Sequence, residues 1–103
     1  VADHLHVNVR EPATETWRFA RFAPAWARRL GRNLTGESVL HPAYAPYNTL
    51  LKDMLAQAVE REMPFYAATH VGGVSGTEVA HRVLIPMSAT GQGVTHCMVF
   101  TVV

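Results

Sequence analysis

The N-terminal part of the chain contains two segments in which apolar and polar residues alternate with a period of two. This spacing is typical of a β-strand with one buried face. The first segment covers residues 5–10, and Pro12 ends it because proline lacks the N–H that a sheet ladder needs. The second covers residues 17–22, with Trp17 and Phe19 on the same side. We therefore predict two strands here, the second with an aromatic face toward the core.

Two helical segments follow, in which apolar residues recur three and four positions apart. In the short segment 24–30, Pro24 suits the first helical turn and Gly31 suits a C-terminal cap. A longer helix is predicted over residues 47–62. It ends before Pro64, because the residue that precedes a proline disfavours helical geometry. The apolar side of this helix consists of Leu50, Leu51, Met54, Leu55, Ala58 and Val59.

The C-terminal part of the chain returns to strand patterns. Residues 65–71 predict a third strand, and residues 79–85 predict a fourth, which Pro86 is expected to end. A flexible loop at 72–76 separates these two strands. The glycine-containing segment 89–93 predicts the hairpin turn that leads into the last strand.

The last strand, predicted over residues 94–103, is apolar on both of its faces. One face carries Met98, Phe100 and Val102, and the other carries Cys97, Val99 and Val103. An antiparallel sheet with one face in water normally alternates between apolar and polar residues. We therefore expect a partner to cover the far face of the sheet, and we assign Cys97, Val99 and Val103 to that interface.

Composition limits the classes of function. The chain has 103 residues, the size of one domain, and we treat residues 1–103 as a single domain. Its formal net charge is only +1, which gives no electrostatic case for binding nucleic acid or an anionic membrane. Charged residues make up 17% of the chain, against about 25% in a typical protein, which agrees with a covered surface.

Other features of the composition bear on location. No apolar run approaches the ~18–20 residues that span a bilayer, so no membrane association is predicted. A single cysteine excludes an internal disulfide, which fits a reducing, cytoplasmic compartment. The chain begins at Val1 without a methionine, which is typical of a domain cut from a longer protein.

The histidines are the first candidates for metal or cofactor chemistry. His41 lies on a proline-rich stretch before the long helix, from which it can reach a pocket. His70, His81 and His96 fall on three strands that can be neighbours, and neutral imidazole is a common metal ligand. Ordinary loop and strand positions are the favoured interpretation for these three and His41, and a frayed chain end is the favoured interpretation for the terminal His4 and His6. We predict no metal site.

Catalytic arrangements have little support in the sequence. Cys97 lies on a predicted strand, where a small buried hydrophobe is the favoured interpretation of a lone cysteine. Asp3 and Asp53 are the only aspartates, one near the terminus and one on the polar side of the long helix. A small α+β enzyme with a cone-shaped cavity would place a carboxylate inside that cavity, so this alternative is weak. We predict no catalytic residues.

Four stretches of the chain resemble a PAS domain, most closely a bacterial PAS subgroup of small, poorly characterised proteins. Residues 17–22 resemble the strand that leads to the first helix. Residues 31–36, Gly-Arg-Asn-Leu-Thr-Gly, resemble a Gly-x-[Asp/Asn]-Leu-Thr-Gly clasp, which is the most specific match. Residues 63–67 resemble the helix-to-strand junction, and 82–87 an apolar-Pro-apolar strand end. The chain departs from the pattern at Ala23, where many PAS domains have asparagine and this subgroup has glycine.

The resemblance implies an α+β fold with a five-stranded antiparallel sheet, in the order 2-1-5-4-3, and helices on one face. It also implies a sensory or dimerisation role in bacterial signal transduction. The partner would be a second copy or an adjacent signalling domain. PAS domains bind haem, flavin, small acids or no ligand between the sheet and the long helix, and the fold does not decide among these.

A ligand pocket between helix and sheet is the candidate site that follows from these expectations. The residues expected to line it are Trp17, Phe19, Trp26, Leu30, Leu51, Met54, Leu55, Tyr66 and Leu84. Such residues fill a dry core more often than a cavity, although ligand pockets are also mostly apolar. A haem sensor is one alternative, but the predicted helix 47–62 contains no histidine. The favoured hypothesis is a non-enzymatic PAS sensor or interaction domain.

Overall fold

The computed structural model describes residues 2–71 and 78–103, so the loop predicted at 72–76 lies outside the described residues. Over these ranges two α-helices lie in sequence between two N-terminal and three C-terminal strands, which is an α+β arrangement. The elements are β1 (Leu5–Glu11), β2 (Thr16–Arg21), α1 (Pro24–Leu30), α2 (Tyr47–Arg61), β3 (Phe65–Val71), β4 (Glu78–Met87) and β5 (His96–Val102). Short 3₁₀ turns lie at Ala2–His4 and Pro42–Tyr44.

The five strands form one antiparallel sheet in the order β2-β1-β5-β4-β3, which confirms the predicted order. Buried residues alternate with more exposed ones along the strands, so the sheet has two distinct faces. The covered face carries Phe19, His6, Val99 and Leu84, and it packs against α1 and α2. The open face carries the alternate positions, and no helix of the described ranges packs on it.

Both α-helices begin and end close to the predicted positions. Pro24 occupies the first turn of α1, and Gly31 caps its C-terminus with a left-handed φ of 70°, a conformation that glycine adopts without steric cost. The long helix α2 ends at Arg61, and Glu62 takes the left-handed cap conformation before Pro64. The predicted apolar side of this helix faces the core, with Leu51 and Leu55 fully buried.

The end predicted for the fourth strand is wrong. Strand β4 continues through Pro86 to Met87 and remains paired with β5. The pairing of β4 with β3 stops at Leu84, so Pro86 lies where one edge of β4 has no neighbouring strand. A proline without an N–H can be accommodated at such a free edge.

The clasp at residues 31–36 joins the end of α1 to β2. The side chain of Asn33 accepts hydrogen bonds from both the backbone N–H and the hydroxyl of Thr35, at 3.0 and 2.7 Å. The Thr35 hydroxyl in turn accepts from the backbone N–H of Phe22 at 3.1 Å. The Gly36 N–H donates to a carbonyl of β2 at 2.6 Å. The segment that carried the family resemblance therefore has a structural role, which is to hold α1 against the sheet.

An aromatic cluster fills the core between α1, α2 and the sheet. Phe19, Phe22, Trp26, Tyr44 and Tyr47 contact one another largely edge to face, with ring centroids between 4.7 and 5.7 Å apart. Aromatic pairs in this arrangement contribute beyond the area they bury. The fold is thus anchored at the β2 end of the sheet. Among the described residues, no helix combines the length and the apolar character needed to cross a membrane.

Candidate functional site on the two faces of the sheet

The structure brings eight of the nine predicted pocket residues together. Seven are buried in the core and Leu30 packs against it, so these side chains fill the space between helices and sheet. The prediction for Tyr66 is wrong. Its side chain is 60% exposed and lies on the open face, because Phe65 and Ala67 are the β3 residues that point toward α2.

The predicted interface residues are also placed differently. Cys97 and Val99 are fully buried on the covered face, so their assignment to the sheet–partner interface is wrong. Both faces of β5 are apolar, so its residue pattern does not determine which face points to the core. The neighbouring strands determine which residues of β5 point to the core, because Val99 lies opposite His6 of β1 and Leu84 of β4. Val103 follows the end of β5 and is 40% exposed.

Cys97 matches the favoured interpretation of a buried hydrophobe. Burial raises the pKa of its thiol to about 12, so the thiol stays protonated at neutral pH. A thiolate is the reactive form of cysteine. Nucleophilic chemistry at this residue is therefore disfavoured.

The open face is lined by rows of apolar side chains that run across the strands. The cross-strand neighbours are Leu5 with Phe100, Val83 and Tyr66; Val7 with Met98 and Ile85; and Val9 with His96 and Met87. Most of these side chains are half-buried by their neighbours, while Val83 remains 40% exposed. An uncovered sheet would normally present polar side chains here.

Charged side chains on the open face gather at the β2 edge of the sheet. Arg21 lies opposite Val7, and Arg18 opposite Val9. Arg18 pairs with Glu11 at 3.0 Å. In the described part of β3, β4 and β5, the outward positions carry no Lys, Arg, Asp or Glu. The centre of the face is therefore apolar and its edge is charged.

The covered face contains four polar residues, of which Asn8, Arg82 and Thr101 were not predicted as site residues. The frayed chain end expected for His6 is wrong, because His6 lies within β1 and is buried. His6, Asn8, Arg82 and Thr101 are all fully buried there. A signal was available for Arg82, because it lies in phase with Leu84, which was predicted to line the pocket. The strand order sets Thr101 opposite Arg82 and His6 opposite Val99, whereas Asn8 lies opposite Cys97, farther along β5.

Arg82 is a buried cation without an acidic partner. Its Nη1 donates to the Met54 sulfur at 3.5 Å, and its Nε and Nη2 have no hydrogen-bond partner among the described residues. All eight acidic residues lie within the described ranges, and none of them is buried. The side-chain amide of Asn8 and the hydroxyl of Thr101 are likewise buried without partners in the described ranges.

His6 connects this cluster to the aromatic core. Its Nδ1 accepts a hydrogen bond from the Ala23 N–H at 3.0 Å, which places the proton of the neutral ring on Nε2. That Nε2–H is positioned to donate to the Tyr44 hydroxyl at 3.3 Å. Burial lowers the pKa of His6 to about 3, and the positive charge of Arg82 adds to this effect. The hydroxyl proton of Tyr44 is left to donate to another acceptor.

A second polar group joins α1, α2 and β4 at the surface. Arg29 pairs with Glu78 at 2.6 Å and lies over the Trp26 ring, 5.1 Å from its centroid. Tyr47 donates to the same Glu78 carboxylate. The Tyr47 hydrogen bond and the Arg29 charge hold the pKa of Glu78 below its usual value. Arg29, Tyr47 and Glu78 each have a polar partner within this group, in contrast to Arg82 in the buried cluster.

The predicted histidine candidates have different local contacts, and only His70 and His81 lie diagonally across adjacent strands. His41 accepts a hydrogen bond from the Ala43 N–H at 3.0 Å and so caps a 3₁₀ turn. On the strands, His81 lies 2.7 Å from the Tyr66 hydroxyl, His70 pairs with Val79, and His96 lies opposite Met87. Within residues 2–71 and 78–103, no three His, Cys, Asp or Glu side chains are grouped to hold a metal ion.

Comparison with known proteins adds no assignment. No model of a known protein family matches the chain, and a search of curated proteins finds no significant similarity. The candidate sites therefore rest on their own geometry, an apolar open face and a buried polar cluster beneath α2.

Proposed function

We propose that the chain is a non-enzymatic, PAS-like sensor and interaction domain that pairs with a second copy of itself through the open face of its sheet. The observation that carries this proposal is the set of apolar rows on that face. The strand order and the clasp at residues 31–36 support the PAS resemblance. The resemblance places such a domain in bacterial signal transduction in the cytoplasm.

The size of the open face suits an interface. With strands about 4.8 Å apart and rows about 7 Å apart, the apolar part measures roughly 20 Å by 20 Å before side-chain relief is counted. Exposed apolar patches of this size, a few hundred Å², mark interaction sites on soluble proteins. The charged β2 edge, with Arg18 and Glu11, would form the polar rim that surrounds such a patch in protein complexes.

The charge pattern favours a second copy as the occupant. In a two-fold dimer both copies use the same patch, so the two surfaces that meet carry the same residues. Like charges opposite one another would oppose that arrangement. The outward positions of β4 and β5 carry no formal charge, so two copies can meet there without repulsion. The Arg18–Glu11 pair at the edge supplies both signs of charge.

The sheet itself can transmit a signal from core to interface. Successive residues of a strand point to opposite faces, so Val99 contacts the core while Phe100 contacts the partner. A change in packing beneath α2 would therefore displace side chains in the interface. This coupling is the proposed sensor mechanism.

The test is the oligomeric state of the chain, measured by sedimentation velocity over a wide range of concentration. We expect a dimer. Val83→Glu should weaken association at least roughly tenfold, because a two-fold dimer would bury the new charge twice. The matched control is Ala56→Glu, which adds the same charge to an exposed position on α2.

Two results would contradict the proposal. One is a wild-type chain that stays monomeric at every concentration. The other is a dimer that Val83→Glu leaves intact, which would place the interface elsewhere. A chain that stays monomeric, and whose open face becomes protected from solvent only when flanking sequence is present, would indicate that a neighbouring segment, rather than a second copy, covers the face.

A further inference from the structure

We propose that the buried polar cluster formed by Arg82, Thr101 and Tyr44 is a binding site for a small carboxylate. It lies on the covered face of the sheet, where Arg82 contacts Met54 of α2. The inference rests on the proposed function only for its signalling consequence. The site itself is argued from the side chains that surround Arg82.

The first argument is charge. A buried arginine without a counter-charge is costly, and proteins normally pair such a group with an acidic side chain. None of the eight acidic residues is buried, and Arg82 takes part in none of the ion pairs of the described chain. Residues 72–77 contain no aspartate or glutamate that could serve. An anion from outside the chain is the missing partner.

The second argument is the geometry of the free donors. The two nitrogens of Arg82 without partners are Nε and Nη2, which lie along one edge of the guanidinium. Their N–H bonds are parallel, and this fork matches the two oxygens of a carboxylate. The third nitrogen, Nη1, is directed instead to the Met54 sulfur. A bidentate oxyanion uses both free donors, whereas a halide ion would use them poorly.

The third argument is the set of neutral groups nearby. His6 holds the Tyr44 oxygen as an acceptor, so the Tyr44 hydroxyl proton can be donated to a ligand. The Thr101 hydroxyl, opposite Arg82, is buried without a partner in the described chain and offers a further donor. These groups provide hydrogen bonds without a competing negative charge. They can donate hydrogen bonds to the carboxylate lone pairs that Arg82 leaves without a donor.

The surroundings restrict the size of the ligand. The core around the cluster is filled by aromatic and aliphatic side chains. A surface cleft of about 150 Å³ is lined in part by Thr101, the member of the cluster nearest the end of β5. The expected ligand is therefore a monocarboxylate of a few heavy atoms, and longer acyl chains are expected to be excluded.

The experiment follows the side-chain Nε–H signal of Arg82 by NMR in the full ¹⁵N-labelled chain. Formate, acetate, propionate and hexanoate are titrated at constant ionic strength against sodium chloride. We expect a saturable shift of this signal with the short carboxylates and none with chloride. Melting temperature should rise by about 5–10 °C at ten times the dissociation constant.

Two variants complete the test. Arg82→Met removes the guanidinium and should abolish the rise in melting temperature, while Arg32→Met, at an exposed position, should retain it. If Arg82→Met does not fold, the wild-type NMR titration decides alone. Absence of a saturable shift with every carboxylate, an equal response to chloride, or a response retained in a folded Arg82→Met would each overturn the proposal. A response to hexanoate as strong as that to acetate would overturn its size limit.

The two proposals fail independently. A carboxylate-dependent shift in a chain that stays monomeric would retain the ligand site and contradict the dimer. A stable dimer without any carboxylate response would retain the dimer and contradict the ligand site. A dissociation constant of the dimer that changes with bound acetate would connect the two.

Discussion

Both faces of the sheet depart from the pattern of an ordinary one-sided sheet, although the covered face is still largely apolar. The covered face, which should be apolar, contains Arg82, Asn8 and Thr101 with polar atoms that lack partners in the described chain. The open face, which should be polar, presents rows such as Leu5, Phe100 and Val83. Neighbouring residues of β5 show the contrast directly, since Thr101 is buried and Phe100 faces outward. The difference suggests two kinds of missing partner, one polar and inside, the other apolar and outside.

The largest effect is expected for the packed aromatic part of the covered face. Phe19→Ala should lower the free energy of unfolding by about 3–5 kcal/mol, because it removes a fully buried ring and leaves a cavity. The ring contacts Phe22 and Tyr44 edge to face at 4.9 and 5.3 Å. Urea denaturation measures this loss. A loss below about 1 kcal/mol would show that the core rearranges around the site.

Much of the framework of this comparison was predictable from the sequence. The bounds of α1 and β3 follow from local signals, such as Pro24, Gly31 and Pro64, that act within one turn or strand end. The strand order came from the family resemblance rather than from local pattern. It matched because the sequence motifs lie at the junctions that define the topology.

The contents of the two faces were not predictable in the same way. Residues Cys97 and Val99 were assigned to the wrong face because an apolar strand carries no phase of its own. The polar cluster joins residues 6, 44, 82 and 101, which are distant in the chain. Only the register that sets Thr101 opposite Arg82 brings them together. Long-range register was therefore the information that local patterns lacked.

A second prediction concerns the dependence of stability on pH. His6 is neutral in the folded chain because burial lowers its pKa from 6.5 to about 3. Below about pH 6.5 the unfolded chain binds a proton that the folded chain does not, so stability falls as the pH falls toward about 3. Between pH 6.5 and pH 5 the loss from this residue should reach about 2 kcal/mol.

The matched variant for this prediction is His6→Asn, which retains an acceptor for the Ala23 N–H but does not titrate. Its free energy of unfolding should change less than that of the wild type over the same pH range. An identical slope for the two proteins would show that His6 does not carry the pH dependence. The comparison of slopes removes the contributions that other titrating groups make to both proteins.

A third prediction concerns the unpaired charge on the covered face. In buffer free of carboxylates, Arg82→Met should raise the free energy of unfolding by about 1–2 kcal/mol, because it replaces a buried cation without a counter-charge by an apolar side chain. Acetate should reduce the difference in free energy of unfolding between the two proteins, because it should stabilise only the wild type. A variant less stable than the wild type in carboxylate-free buffer would show that the guanidinium already has adequate partners.

The smallest effect is expected on the open face, where it tests the assignment of the faces themselves. Val83→Thr and Val99→Thr make the same nearly isosteric change on adjacent strands of the sheet. In monomeric protein, Val83→Thr should change the free energy of unfolding by less than about 0.5 kcal/mol, because the new hydroxyl remains in water. Val99→Thr should cost about 1–3 kcal/mol, because its hydroxyl is buried in an apolar part of the core. Equal costs in the monomer would contradict the difference between the faces, whereas a Val83→Thr cost that appears only at concentrations where the chain associates would locate the contact on the open face.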